Sequence, residues 1–203
     1  MILSRYKALF VHVPKTGGNS IQNMLLPYSD ERKVVMPNWQ DGVNRFGLEN
    51  DRFETTKHSA LAEYKDCMGE TMFASFRKFV VVRNTFDRVM SFYFSPHRGR
   101  VSWNRTAFIR FVVRIKPLKH YMALPGQGLE EASRNFDLIL SFDELERDSE
   151  RLKEMIGVQG HLERCNVSPE ETKLGYYDAE LADHVHDRFR EEIAFFEFSR
   201  PVP

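Results

Sequence analysis

A run of residues near the start of the chain, His12-Val13-Pro14-Lys15-Thr16-Gly17-Gly18-Asn19-Ser20, carries the residue types needed to hold an oxyanion. Lys15 brings a full positive charge, and Thr16, Asn19 and Ser20 bring donors. Gly17 and Gly18 omit the Cβ atoms that would keep a ligand away from the backbone. Ala8-Leu9-Phe10-Val11 before the run is apolar in the manner of a buried strand, and Ile21, Met24 and Leu25 after it recur at helical spacing. Strand, glycine turn and helix start in that order set backbone N–H groups and the positive end of a helix dipole at the loop. The stretch is neither the triphosphatase P-loop, whose lysine follows its last glycine, nor the Gly-x-Gly-x-x-Gly dinucleotide fingerprint. Alone it specifies an anion site, with an ordinary strand–helix turn and a solvated lysine as the competing explanation.

A second stretch has matching chemistry. Phe79-Val80-Val81-Val82 reads as a buried strand and ends in Arg83-Asn84-Thr85-Phe86-Asp87-Arg88, followed by Val89-Met90-Ser91-Phe92-Tyr93-Phe94. Asn84 or Thr85 suits an N-cap and Asp87 the first helical turn. Arg83 then leaves the carboxyl end of the strand, where open α/β sheets bind ligands. Ser91, about two turns into the helix, lies on a face that looks back toward it. A guanidinium and a hydroxyl meeting there make a second oxyanion site.

The two motifs together resemble the sulfotransferases that use 3′-phosphoadenosine 5′-phosphosulfate (PAPS), in particular the carbohydrate-type enzymes and their soluble bacterial cousins. The resemblance implies an α/β fold with a central parallel sheet flanked by helices, the P-loop-like sulfotransferase fold. It implies that Lys15, Thr16, Gly17, Gly18, Asn19 and Ser20 bind the 5′-phosphosulfate side, and that Arg83 and Ser91 bind the 3′-phosphate. The family usually has proline where this chain has Thr85.

The bulk of the chain is compatible with this. Its 203 residues suit one domain, 1–203, with 27–57 and 95–133 as loops and helices on the acceptor side. Lys plus Arg equals Asp plus Glu at 29 each, so no bulk charge points to nucleic acid or an anionic membrane. Basic residues at 77, 78, 83, 88, 98, 100, 105, 110 and 114 nonetheless recur through the middle, as an anionic-ligand patch or a solvated face. The two cysteines, Cys67 and Cys165, lack metal spacing and favour a reduced compartment. With no signal-peptide core and no transmembrane run, a cytoplasmic protein is expected.

Between the two motifs, Pro27 to Asp51 is irregular around a short Lys33–Met36 strand, and Thr55-Thr56-Lys57-His58-Ser59 precedes a helix expected from Ala60 to about Phe76. His58 is either a helix-start residue or the base; a histidine or glutamate base is what the resemblance implies. Phe108, Phe111, Val112 and Ile115 mark an amphipathic helix, Phe136–Phe142 another buried strand, and Leu145, Leu152 and Ile156 the helix after it. Gln127 lies in a turn that would approach the acceptor, and 162–166 with Lys173 would close over the adenosine by resemblance. Leu181, Val185, Phe189, Ile193 and Phe196 make a C-terminal amphipathic helix, with His184 and His186 structural beside it.

The implied chemistry is sulfuryl transfer from PAPS to a hydroxyl acceptor, a carbohydrate by resemblance, leaving 3′,5′-adenosine bisphosphate and requiring no metal. Lys15 would stabilise the charge growing on the departing oxygen, and His58, with the ordinary imidazole pKa of about 6.5, would take the acceptor proton. A small-molecule or nucleotide kinase and a non-catalytic nucleotide-phosphate binding protein are the alternatives. The first requires Mg²⁺ and a triphosphate; the second binds the bisphosphate without turnover.

Overall fold

The computed structural model describes residues 1–35, 46–95, 101–163 and 174–201. The chain opens with strands β1 (Ile2–Leu3) and β2 (Ala8–Val11), helix α1 (Gly18–Leu25), and a hairpin of β3 (Arg32–Val35) and β4 (Phe46–Glu49). Helices α2 (Leu61–Met68) and α3 (Glu70–Ala74), strand β5 (Arg77–Val82) and helix α4 (Thr85–Tyr93) follow. Then come α5 (Arg105–Val112), α6 (Leu118–Met122), α7 (Leu129–Ser133), strand β6 (Leu138–Ser141), α8 (Leu145–Ile156), α9 (Ala179–Arg188) and α10 (Arg190–Phe195).

The main sheet has the order β1-β2-β5-β6. Strands β2, β5 and β6 are parallel, with Phe10 opposite Phe79 and Val81 opposite Leu140. The expected parallel sheet is therefore mixed at one edge, because β1 turns back through a tight loop with Lys7 at φ 47° and pairs antiparallel with β2. Side chains alternate across these strands as the two-residue period demands. Leu9, Val11, Val80 and Val82 face one core, covered by α2, α3, α6 and α7. Ala8, Phe10, Phe79, Val81 and Leu140 face the other, covered by α1, α8 and the β3–β4 hairpin. Both faces being buried explains why these strands read as continuous apolar runs.

The helix expected from Ala60 to Phe76 breaks in two at Gly69, whose φ of 76° lies in the region favouring glycine. The single C-terminal helix expected over Leu181–Phe196 likewise divides at Phe189. Residues 164–173, including most of the segment expected to close over the adenosine, and the basic residues 98 and 100 lie outside the described residues. Gln127 closes its own turn: its Oε1 accepts from Leu124 N–H at 2.8 Å and from Asn135 at 2.7 Å. Among the described residues, no helix is long and apolar enough to cross a membrane.

A third apolar cluster joins α4 to α5, α9 and α10 through Phe86, Val89, Phe108, Val185 and Ile193. Its polar centre is Glu192. The Glu192 carboxylate accepts from Thr85 Oγ1 at 2.6 Å, Leu118 N–H at 2.5 Å and Arg88 Nη2 at 3.2 Å. Arg88 is fully buried and also donates to the Lys116 carbonyl. It is thus no part of a basic surface, and Lys78, buried with its Nζ on the Phe76 carbonyl, is not either. Removing one partner of a buried ion pair leaves the other charge uncompensated. Glu192→Ala is expected to cost about 3–5 kcal/mol of unfolding free energy. Urea denaturation checks this, and a loss below about 1 kcal/mol would contradict the pairing described.

Candidate active site

Three loops leave the carboxyl ends of β2, β5 and β6, and the parallel register brings them to one edge of the sheet. The first begins at His12. Thr16 Oγ1 donates to the Val13 carbonyl at 2.8 Å, which closes the turn and commits the hydroxyl proton inside the loop. Lys15 then takes a φ of 71° and Gly17 one of 82°, so the chain reverses into α1 at Gly18. Two left-handed residues in three are a costly turn for non-glycine residues, held here by close packing. Helix α1 thus starts at this edge, with Ser20 N–H bonded back to the Gly17 carbonyl at 3.0 Å.

Close packing also explains both glycines. A Cβ on Gly17 would stand 2.8 Å from the Phe142 ring and 3.1 Å from Leu145. A Cβ on Gly18 would stand 2.1 Å from Cδ2 of His12. The side chains that forbid them come from the ends of β6 and β2. Phe142 N–H continues the ladder to the Val82 carbonyl at 2.9 Å, which fixes the ring at the sheet edge.

The second loop begins at Arg83. Asn84 caps α4, its Oδ1 accepting from Phe86 N–H at 3.0 Å. Arg83 Nη1 donates to the Lys15 carbonyl at 3.5 Å, and its guanidinium lies 4.0 Å from the centre of the Phe142 ring, within cation–π range. Lys15 Nζ reaches the end of α4, donating to Ser95 Oγ at 3.4 Å. The loop and the Arg83 turn therefore share one edge, with Phe142 between them. Ser91 lies two turns into α4 and is 9% exposed, on the same helix that the Lys15–Ser95 contact ties to the loop. Asn19 is half-buried in the first turn of α1, and Ser20 N–H bonds to the Gly17 carbonyl at 3.0 Å.

His58 reaches the start of the loop through His12. Its Nδ1 lies 3.2 Å from the His12 carbonyl and the two rings are 4.4 Å apart. His12 is buried with Nδ1 2.9 Å from Gln22 Oε1, and Gln22 Nε2 donates to the Lys57 carbonyl at 3.5 Å. Burial, then the neighbouring His58 and Lys57, hold the His12 pKa well below its ordinary value. Sequence alone does not mark Phe142, Ser95, Gln22 or the His12 ring as part of the site. The signal available for Phe142 is topological: it is the first residue beyond the third parallel strand. Among the described residues no cluster of three or more His, Cys, Asp or Glu is placed to hold a metal ion.

The buried neutral His12 makes the fold acid-sensitive. Its folded pKa lies below the unfolded value of about 6.5, so below that pH the unfolded chain binds a proton that the native state does not. Stability is expected to fall as pH drops from 6.5 toward 5, and less steeply in His12→Leu. Urea denaturation across that window checks this, and equal slopes in the two proteins would contradict it.

No curated protein and no solved structure matches the chain. A family model described as the sulfotransferase family matches residues 1–199, nearly the whole chain, and the site edge lies within that span. With the mostly parallel α/β sheet and its glycine loop, this establishes that the chain belongs to the sulfotransferase family.

Proposed function

We propose that this sulfotransferase moves the sulfuryl group of PAPS to a carbohydrate hydroxyl, within a single 1–203 unit whose segments 27–57 and 95–133 meet the acceptor. The observation that best supports the donor is the shared edge: Arg83 Nη1 stands 3.5 Å from the Lys15 carbonyl, so two cationic side chains border one glycine turn. A nucleotide bearing anions at both its 5′ and 3′ positions fits that charge pattern. Lys15, the backbone of residues 16–18, Asn19 and Ser20 would hold the 5′ side; Arg83 and Ser91 would hold the 3′-phosphate. The Thr16 hydroxyl, bonded to Val13, acts by shaping the turn, and its contribution to binding is through the backbone.

When bound, PAPS supplies an SO₃ group: a bond from sulfur to the acceptor oxygen forms as the bond from sulfur to the phosphate oxygen breaks, leaving 3′,5′-adenosine bisphosphate. Lys15, on a short tether to the turn, stabilises the negative charge gathering on the departing oxygen, as preorganised donors do in acyl transfer. His58 takes the proton that the acceptor hydroxyl loses on attack. Bringing acceptor and donor together at the sheet edge would supply the proximity contribution. The chain's own residues provide these charges, so no metal is required in this scheme. Its low cysteine content fits a cytoplasmic setting.

Transfer of radiolabelled sulfate from PAPS to a panel of mono- and oligosaccharides, without added metal, tests the proposal. Label entering an acceptor hydroxyl is the expected result, and activity appearing only with ATP and Mg²⁺ would make the protein a kinase instead. Lys15→Ala is expected to lower kcat about 10²–10³-fold, the usual cost of losing a charge-stabilising donor. His58→Ala is expected to lower kcat about 10²–10⁴-fold, with the acidic limb of the pH profile lost. An unchanged profile in that variant would remove His58 from the role of base.

A further inference from the structure

We infer that Gln22 and His12 form a positioning relay that fixes His58 as its Nδ1–H tautomer and so leaves the lone pair on Nε2. The inference rests on the proposed role of His58 as base and adds what orients it.

The geometry leaves little choice of proton positions. The His12 carbonyl oxygen only accepts, so the His58 Nδ1 that lies 3.2 Å from it must carry the hydrogen. In a neutral imidazole the other nitrogen, Nε2, then holds the lone pair. A carbonyl does here what a carboxylate does for the histidine of a hydrolase triad: it selects the tautomer and aims the ring. Unlike a carboxylate, it adds no charge to a site that must admit an anionic donor.

The carbonyl is itself held. Gln22 is 1% exposed, and its amide has one consistent orientation. Oε1 accepts from His12 Nδ1 at 2.9 Å, and Nε2 donates to the Lys57 carbonyl at 3.5 Å. One side chain thus grips the residue that supplies the carbonyl and the residue immediately before His58. The His12 ring completes the support, lying 4.4 Å from the His58 ring and filling the place of a Gly18 side chain. Its neutrality, enforced by burial, keeps a second positive charge away from His58. Through the same two residues the candidate base is joined to the first two turns of α1, which fixes it relative to the anion loop.

Nitrogen NMR on histidine-labelled, ligand-free protein above neutral pH reads the tautomer directly. The expected spectrum assigns the proton of His58 to Nδ1 and a bare Nε2, and the opposite assignment would overturn the inference. Gln22→Met, of similar volume, is expected to give a mixture of His58 tautomers and to lower kcat between about 10- and 100-fold, the scale of a modest misplacement. Affinity for 3′,5′-adenosine bisphosphate should fall by a smaller factor than kcat does, since Gln22 reaches the anion turn only through the His12 ring. An unchanged tautomer and kcat in that variant would also overturn the relay. Should Gln22→Met not fold, the parent spectrum alone decides. Because the spectrum needs neither donor nor acceptor, it separates this inference from the sulfotransfer proposal: a correct tautomer with a fully active His58→Ala would retire the base and leave the relay.

Discussion

At Gly17 the backbone runs left-handed with φ 82° while Phe142 and Leu145 fill the space a side chain would need, and at Gly18 the His12 ring does the same from the opposite side. That crowding ties together segments from across the chain. Phe142 stands at the end of β6, His12 at the end of β2, and Arg83, stacked on Phe142, at the end of β5. The loop keeps its shape only while the parallel register keeps those three ends level, which the apolar cores on both faces of the sheet enforce. The glycines in this loop therefore answer first to the protein's own packing. Their service to a bound anion follows from the turn that this packing imposes.

The Arg83–Arg88 stretch divides its labour along one helix turn. Arg83 faces the candidate site; Arg88, five residues on, is buried on Glu192. Thr85, in the place where the family usually has proline, donates to the same Glu192 carboxylate. The hydroxyl ties the start of α4 to α10 by a hydrogen bond, where proline would have stiffened the turn by restricting φ. The C-terminal helices are in this way anchored to the element that carries Arg83 and Ser91. A buried network of this kind stabilises little beyond its own desolvation cost when intact, but it penalises loss of any member.

Much of this was legible in the sequence, for physical reasons that differ by element. The buried strands announced themselves because both faces of the sheet are covered, so Phe79–Val82 carries β-branched residues without alternation. The approach of Arg83 to the glycine loop followed from a general rule, that ligand-facing loops gather at the carboxyl ends of parallel strands. What was not legible depended on long-range packing. Gly69 looks like any other residue inside an apolar period until a φ of 76° is needed there. Phe142 reads as the last residue of a strand, and its role under Arg83 appears only when the strand order is known. His12 looks like the lead-in to the loop, whereas its ring and carbonyl connect Gly18, Gln22 and His58, residues separated in sequence by up to one fifth of the chain. Arg88 and Lys78, counted with the basic residues of the middle, are buried because a carboxylate and a carbonyl await them.

In the proposed function, the Lys15 turn and Arg83 together hold a nucleotide that is anionic at both ends. Calorimetric titration of 3′,5′-adenosine bisphosphate beside 5′-AMP, without metal, tests it most directly. The bisphosphate is expected to bind more tightly, with Arg83→Ala weakening it by about 1.5–3 kcal/mol and leaving 5′-AMP nearly unchanged. Equal affinity for the two nucleotides, or an Arg83→Ala change that weakens both alike, would contradict it.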